Sequence, residues 1–118
     1  MLKTLETRIM VTSSKRKELT NFYIDELKFS IIQEFSSGVM IDLGSAILEI
    51  FDPREDRSYP DKFSLSLMVA NVAELWNELK SNVNIAHELR HNNWGDSSFG
   101  IVDPEGNNLV FFSPDNLI

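Results

Sequence analysis

Apolar positions along this chain switch between a strand period and a helix period, twice over and in the same order. Glu6 to Thr12 alternates, with Thr7, Ile9 and Val11 on one side and Glu6, Arg8, Met10 and Thr12 on the other. From about Lys15 to Leu27, Leu19, Phe22, Tyr23 and Leu27 form one stripe of an amphipathic helix, preceded by Ser13 and Ser14 as capping residues. Three short apolar runs follow, Ser30 to Ser36, Val39 to Leu43 and Ala46 to Phe51. Gly38 and Gly44-Ser45 supply the turns between them, and Asp52-Pro53 ends the last.

Arg54 to Lys62 is polar and charged, carries Pro60 and reads as a linker; the pattern then restarts. Phe63 to Ala70 alternates as a strand. Asn71 caps a helix, with Glu74 at the capping-box position and Val72, Leu75, Trp76 and Leu79 as its buried stripe. Val83 to Arg90 is a strand that frays into the polar loop His91-Asn92-Asn93. Ser98 to Val102 and Asn108 to Phe112 are two more, joined by the turn residues Asp103-Pro104-Glu105-Gly106-Asn107. The expected organisation is one domain over 1–118, with a first module at 1–53, a linker at 54–62 and a second module at 63–118. Short matches in the same order in both halves favour an internal duplication. Arg8-Ile9-Met10-Val11-Thr12 lies over Ser66-Leu67-Met68-Val69-Ala70, and Leu48-Glu49-Ile50-Phe51 over Leu109-Val110-Phe111-Phe112.

Trp94-Gly95, then Phe99, then Asp103-Pro104-Glu105-Gly106-Asn107 and an apolar strand resemble the closing hairpin of the vicinal oxygen chelate superfamily. That superfamily includes glyoxalases, bleomycin-resistance proteins and extradiol dioxygenases. The resemblance covers nearly the whole chain and includes Phe22-Tyr23 followed by Leu27-Lys28-Phe29. It implies an α+β fold in which two βαβββ modules form an open, eight-stranded curved sheet around a cavity, with helices outside. Ile9, Val11, Leu65, Leu67 and Val69 would then lie beneath the helices, and Glu6, Arg8, Met10, Ser64, Ser66 and Met68 would face the cavity. Phe51 shares a strand face with Glu49, as Phe112 does with Val110, and Trp94 and Phe99 complete the aromatic set. A small-molecule pocket and ordinary core filling both fit these aromatics.

Metal-dependent members of the superfamily hold a divalent ion with His, Glu or Gln on the first and last strands of each module. Carried over to this chain, those positions are Glu6, Glu49, Ser64 and Val110. A valine cannot ligate and a serine hydroxyl is a poor donor, so the metal site reads as lost and no cofactor is expected. Glu6 and Glu49 are then free to pair with Arg8, to bind a cationic or hydroxyl-bearing ligand, or to act as a base.

Composition narrows the functions further. A net charge of −7 over 118 residues argues against nucleic acid as a partner, and Lys15-Arg16-Lys17 reads as a solvated helix end. The absence of cysteine excludes disulfides, thiolate ligands and a thiol nucleophile. No apolar run is long enough for a membrane span, and a cytoplasmic protein is expected. His87, on a strand face with Ile85 and Leu89, and His91, in the loop, show no orienting acid. Ser97-Ser98 and Ser36-Ser37 lack the surroundings of a nucleophile. The leading expectation is a metal-independent small-molecule binder similar to bleomycin-resistance proteins, the acidic balance suiting a cationic ligand, and a homodimer by family analogy. A divalent-metal lyase, isomerase or dioxygenase using Glu6 and Glu49 is the alternative, and a non-catalytic assembly or regulatory domain is the third.

Overall fold

Successive side chains of a strand point to opposite faces, and the alternation of Ile9 and Val11 with Arg8 and Met10 becomes β1 (Arg8–Thr12) in the computed structural model. The structure describes residues 1–56 and 58–116. After β1 come α1 (Arg16–Asn21), a π-helical turn (Phe22–Glu26), β2 (Ser30–Phe35), β3 (Gly38–Asp42) and β4 (Ile47–Phe51). Then follow β5 (Ser64–Met68), α2 (Val72–Leu79), β6 (Asn84–Asn92), β7 (Asp96–Val102) and β8 (Asn108–Pro114). The strands form two four-stranded mixed sheets, ordered β1-β4-β3-β2 and β5-β8-β7-β6. In each, the first strand runs parallel to the last and the other pairs are antiparallel. The fold is α+β, built of two βαβββ modules. The chain divides into two compact units, Met1–Lys62 and Phe63–Ile118. Among the described residues, no helix is long and apolar enough to cross a membrane.

In the first unit, Val11, Val39, Ile41, Leu48 and Ile50 lie on one sheet face and are almost wholly buried, as are Leu19 and Tyr23 of the helical segment. The helical stripe is interrupted. The Leu27 N–H bonds Phe22 O, the five-residue step of a π turn, and Lys28 then takes a left-handed φ of 64°. This turn lets Tyr23 stack on Phe29 at 6.5 Å while meeting Phe22 edge-on at 5.4 Å. Ser13 Oγ accepts from the Lys15 N–H, one turn ahead of a helix whose own N-cap, Lys15, has no side-chain cap. Arg16 is no solvated helix end: Nε donates to Asp52 Oδ1 at 2.7 Å, and its terminal nitrogens reach Gly38 O and Ser36 O. The 54–62 stretch is tied down too, with the Thr12 N–H bonded to Pro60 O and Tyr59 packed on Phe51 at 5.3 Å. Arg57 of that stretch lies outside the described residues.

In the second unit, Leu109, Phe111, Phe99 and Ile101 fill the face beneath α2, where Trp76 meets Phe99 at 5.2 Å. Asn71 caps α2 by accepting the Glu74 N–H at 3.0 Å. The β7–β8 turn is built on buried Asp103, whose Oδ1 accepts the N–H groups of Glu105 and Asn107 while Oδ2 accepts Asn107 Nδ2. Gly106 sits at φ 84°, a backbone state that disfavours any side chain. Asn107 Oδ1 accepts the Phe63 N–H at 2.9 Å, which fixes the start of β5 against the turn.

Candidate functional site

Each sheet has a second face, turned away from its helix. In the first unit the ladder sets Met10 and Met40 on either side of Glu49, which is 8% exposed. Arg8 Nε donates to Glu6 Oε2 at 2.6 Å, and Arg8 Nη1 lies 3.7 Å from Glu49 Oε1. One guanidinium therefore stands between the two carboxylates. The hydrogen bond that Arg8 donates to Glu6 raises the Arg8 pKa above its ordinary value, and the charges of Glu6 and Glu49 add to the effect. Glu6 precedes β1 and is not part of it, contrary to the strand expected from Glu6. Phe51, further along β4, is half-buried and leans over Gly38, where an added Cβ would sit 2.9 Å from its ring.

The structural register also corrects the internal match. Met10 pairs with Glu49 in the first unit and Ser66 with Val110 in the second, and β1 Arg8–Thr12 corresponds to β5 Ser64–Met68. Arg8, and not Glu6, is therefore the counterpart of Ser64. The sequence match slipped by two residues, which preserves the face because the strand period is two.

In the second unit the same face carries a pocket of about 250 Å³ lined by Ser66, Val110, Phe112, Trp94 and a polar cluster from β6 and β7. Asn92 is 6% exposed and uses every group it has. Nδ2 donates to Asp96 Oδ1 at 2.8 Å and to Ser98 Oγ at 3.0 Å, and Oδ1 accepts from Arg90 Nε at 3.2 Å. His87 Nε2 lies 3.4 Å from Ser98 Oγ. Its ring lies across Gly100, where an added Cβ would come within 2.7 Å of Nδ1. Burial lowers the His87 pKa below its ordinary value, with the nearby Arg90 charge assisting.

Several expectations fail here. Phe99 does not face the pocket; it is fully buried on the opposite face between Trp76 and Phe111. His87 does not share a face with Ile85, because a bulge between them leaves Ile85 opposite Ile101 and His87 opposite Gly100. The strand also runs on through His91 and Asn92, and His91 does have an acid, Asp115, with Nδ1 2.9 Å from Oδ2. The sequence pattern singles out none of Arg90, Asn92 and Asp96, and Ser98 only as an unsupported nucleophile; two irregularities in β6 bring the four together, and a hydrophobic pattern does not register a bulge. Ser64 and Met68 are exposed on the pocket's face, and Trp94 is 71% exposed at its rim. A broader cavity of about 660 Å³ beside α1 is lined by Lys15, Lys17, Glu18 and Glu34, whose charges offset one another.

Residues 7–111 match the family model of the Glyoxalase/Bleomycin resistance protein/Dioxygenase superfamily. Solved structures share the fold at low identity. TioX from Micromonospora sp. ML1 superposes with a TM-score of 0.80 at 12% identity, over 94% of this chain and 99% of that one. A lactoylglutathione lyase from Agrobacterium tumefaciens gives 0.76 at 16% identity, over 95% of each chain. A glyoxalase/bleomycin resistance protein/dioxygenase from Alicyclobacillus acidocaldarius gives 0.72 at 17% identity, over 92% and 90%. No curated protein matches the sequence significantly. With the family match spanning both βαβββ modules, the chain belongs to the Glyoxalase/Bleomycin resistance protein/Dioxygenase superfamily.

Proposed function

We propose that the protein binds a small molecule without a metal cofactor, in the manner of bleomycin-resistance-type members of its superfamily. The observation that carries this reading is Arg8. A divalent ion needs three or four well-placed donors. Of the four positions carried over from metal-dependent relatives, Val110 has no donor and Ser64 has only a hydroxyl. Glu6 and Glu49 share the Arg8 guanidinium, which supplies positive charge where a metal would bring it. Among the described residues, no three His, Asp or Glu side chains are grouped closely enough to hold a metal. The donor set does not fit the metal.

The test is elemental analysis of protein purified without chelator, on the native chain and on Arg8→Gln. The native chain is expected to carry no stoichiometric divalent metal. Arg8→Gln frees both carboxylates and is expected to bind manganese or zinc more tightly than the native chain, read by calorimetry. A stoichiometric metal in the native chain, lost on Glu49→Gln, would overturn the proposal in favour of the metal-dependent enzyme.

Pairing with a second copy belongs to the same proposal. It is supported by β2, an edge strand whose residues are all exposed, Ile31, Ile32 and Phe35 among them.

A further inference from the structure

The second unit's pocket is asymmetric in its chemistry, and the asymmetry indicates what it would take. Its floor and rim are apolar: Val110 and Phe112 on β8, and the Trp94 indole, a large aromatic surface left mostly in water. An exposed aromatic bordering a concave apolar floor suits a flat ligand that covers it.

Its polar side consists mainly of donors. Asn92 consumes Arg90 Nε, so the guanidinium is held by one edge while its terminal nitrogens have no carboxylate partner among the described residues. Asn92 also donates to Ser98 Oγ, which leaves the Ser98 hydrogen for His87 or for a ligand. Asp96 is the one acid in the lining, and its Oδ1 is engaged by Asn92. Ser98 is buried at 5% exposure, and the exposed Arg90 is held at Nε by Asn92, itself only 6% exposed. A guanidinium fork beside a hydroxyl donor matches the two oxygens of a carboxylate.

We propose that this pocket binds a small planar aromatic carboxylate, its ring against Trp94 and Phe112 and its carboxylate on Arg90 and Ser98. The volume of about 250 Å³ suits a single ring. This inference rests on the small-molecule reading above. It replaces the cationic ligand expected from net charge, because the residues around the pocket, and not the sum over the chain, set the local preference.

The experiment titrates the full chain with benzoate, benzamide and benzylamine, following the assigned Trp94 indole resonance. Benzoate is expected to shift it saturably and to bind more tightly than either analogue. Arg90→Gln should weaken benzoate roughly tenfold or more and leave benzamide unchanged, as for loss of a charged hydrogen bond. Trp94→Ala should weaken benzoate as well, and its side chain is exposed, so folding is preserved; for Arg90→Gln an unchanged benzamide affinity shows that the Asn92 cluster is intact. Equal binding of all three probes, unaffected by Arg90→Gln, overturns the carboxylate assignment while leaving small-molecule binding intact. Preference for benzylamine overturns it in favour of a cation. If no probe shifts Trp94 the inference falls, and the metal-free reading is then decided separately by the elemental analysis.

Discussion

His87 rests on a space that only glycine leaves. With a Cβ at position 100, the ring would have to leave its place over β7, since the nearest ring atom would lie 2.7 Å away. The ring's burial lowers its pKa, with Arg90 as the nearby like charge and Asp96 the acid in the same pocket. The unfolded chain therefore takes up a proton on this histidine more readily than the folded one. Its contribution is in place above the ordinary histidine value of about 6.5 and is lost as pH falls below it. His87→Gln is expected to flatten the drop in denaturation midpoint between pH 7 and 5 relative to the native chain. In Gly100→Ala, the His87 titration followed by NMR should move back up towards the ordinary value. No sequence pattern announces this pair, because the β6 bulge that turns His87 towards Gly100 is a property of pairing and leaves no periodic trace. Arg8, by contrast, was legible as a partner for Glu6 from their two-residue spacing, although Glu6 itself lies ahead of β1.

Elements were easier to read than the registers between them. Alternation located β1 and β5, turn chemistry located the Asp103–Asn107 loop, and Asn71 marked the start of α2. The π turn at Phe22–Glu26 escaped because Leu19, Phe22, Tyr23 and Leu27 satisfy an ordinary helical stripe equally well. Phe99 escaped for a related reason: every aromatic near a polar group resembles a pocket wall until strand parity assigns its face. That assignment has an energetic consequence. Phe99→Ala should cost about 3–5 kcal/mol, as for a buried aromatic, whereas Trp94→Ala should stay within about 0.5 kcal/mol; urea denaturation separates the two.

For the molecule as a whole, the duplication in the sequence is real in the fold, since both units share element order and sheet order. The short sequence matches found the modules but missed their alignment at β1 and β5 by one pleat. At this scale charge opposes association. A net charge of −7 on each copy repels a second copy, and added salt screens that repulsion. If two copies pair through exposed apolar strand surface, sedimentation should show dimer, with the dimer fraction rising between low and moderate salt. Ile32→Lys on β2 should shift the balance to monomer.

In both units the first strand made is hydrogen-bonded to the last, β1 to β4 and β5 to β8. On the ribosome this imposes a wait. β1 has no ladder partner until the strand beginning at Ile47 has been synthesised, and β5 none until the strand beginning at Asn108 follows it out of the exit tunnel. The start of β5 is fixed by Asn107, so a nascent chain halted before that residue would hold a first module able to close and a second still lacking both its clasp and its parallel neighbour.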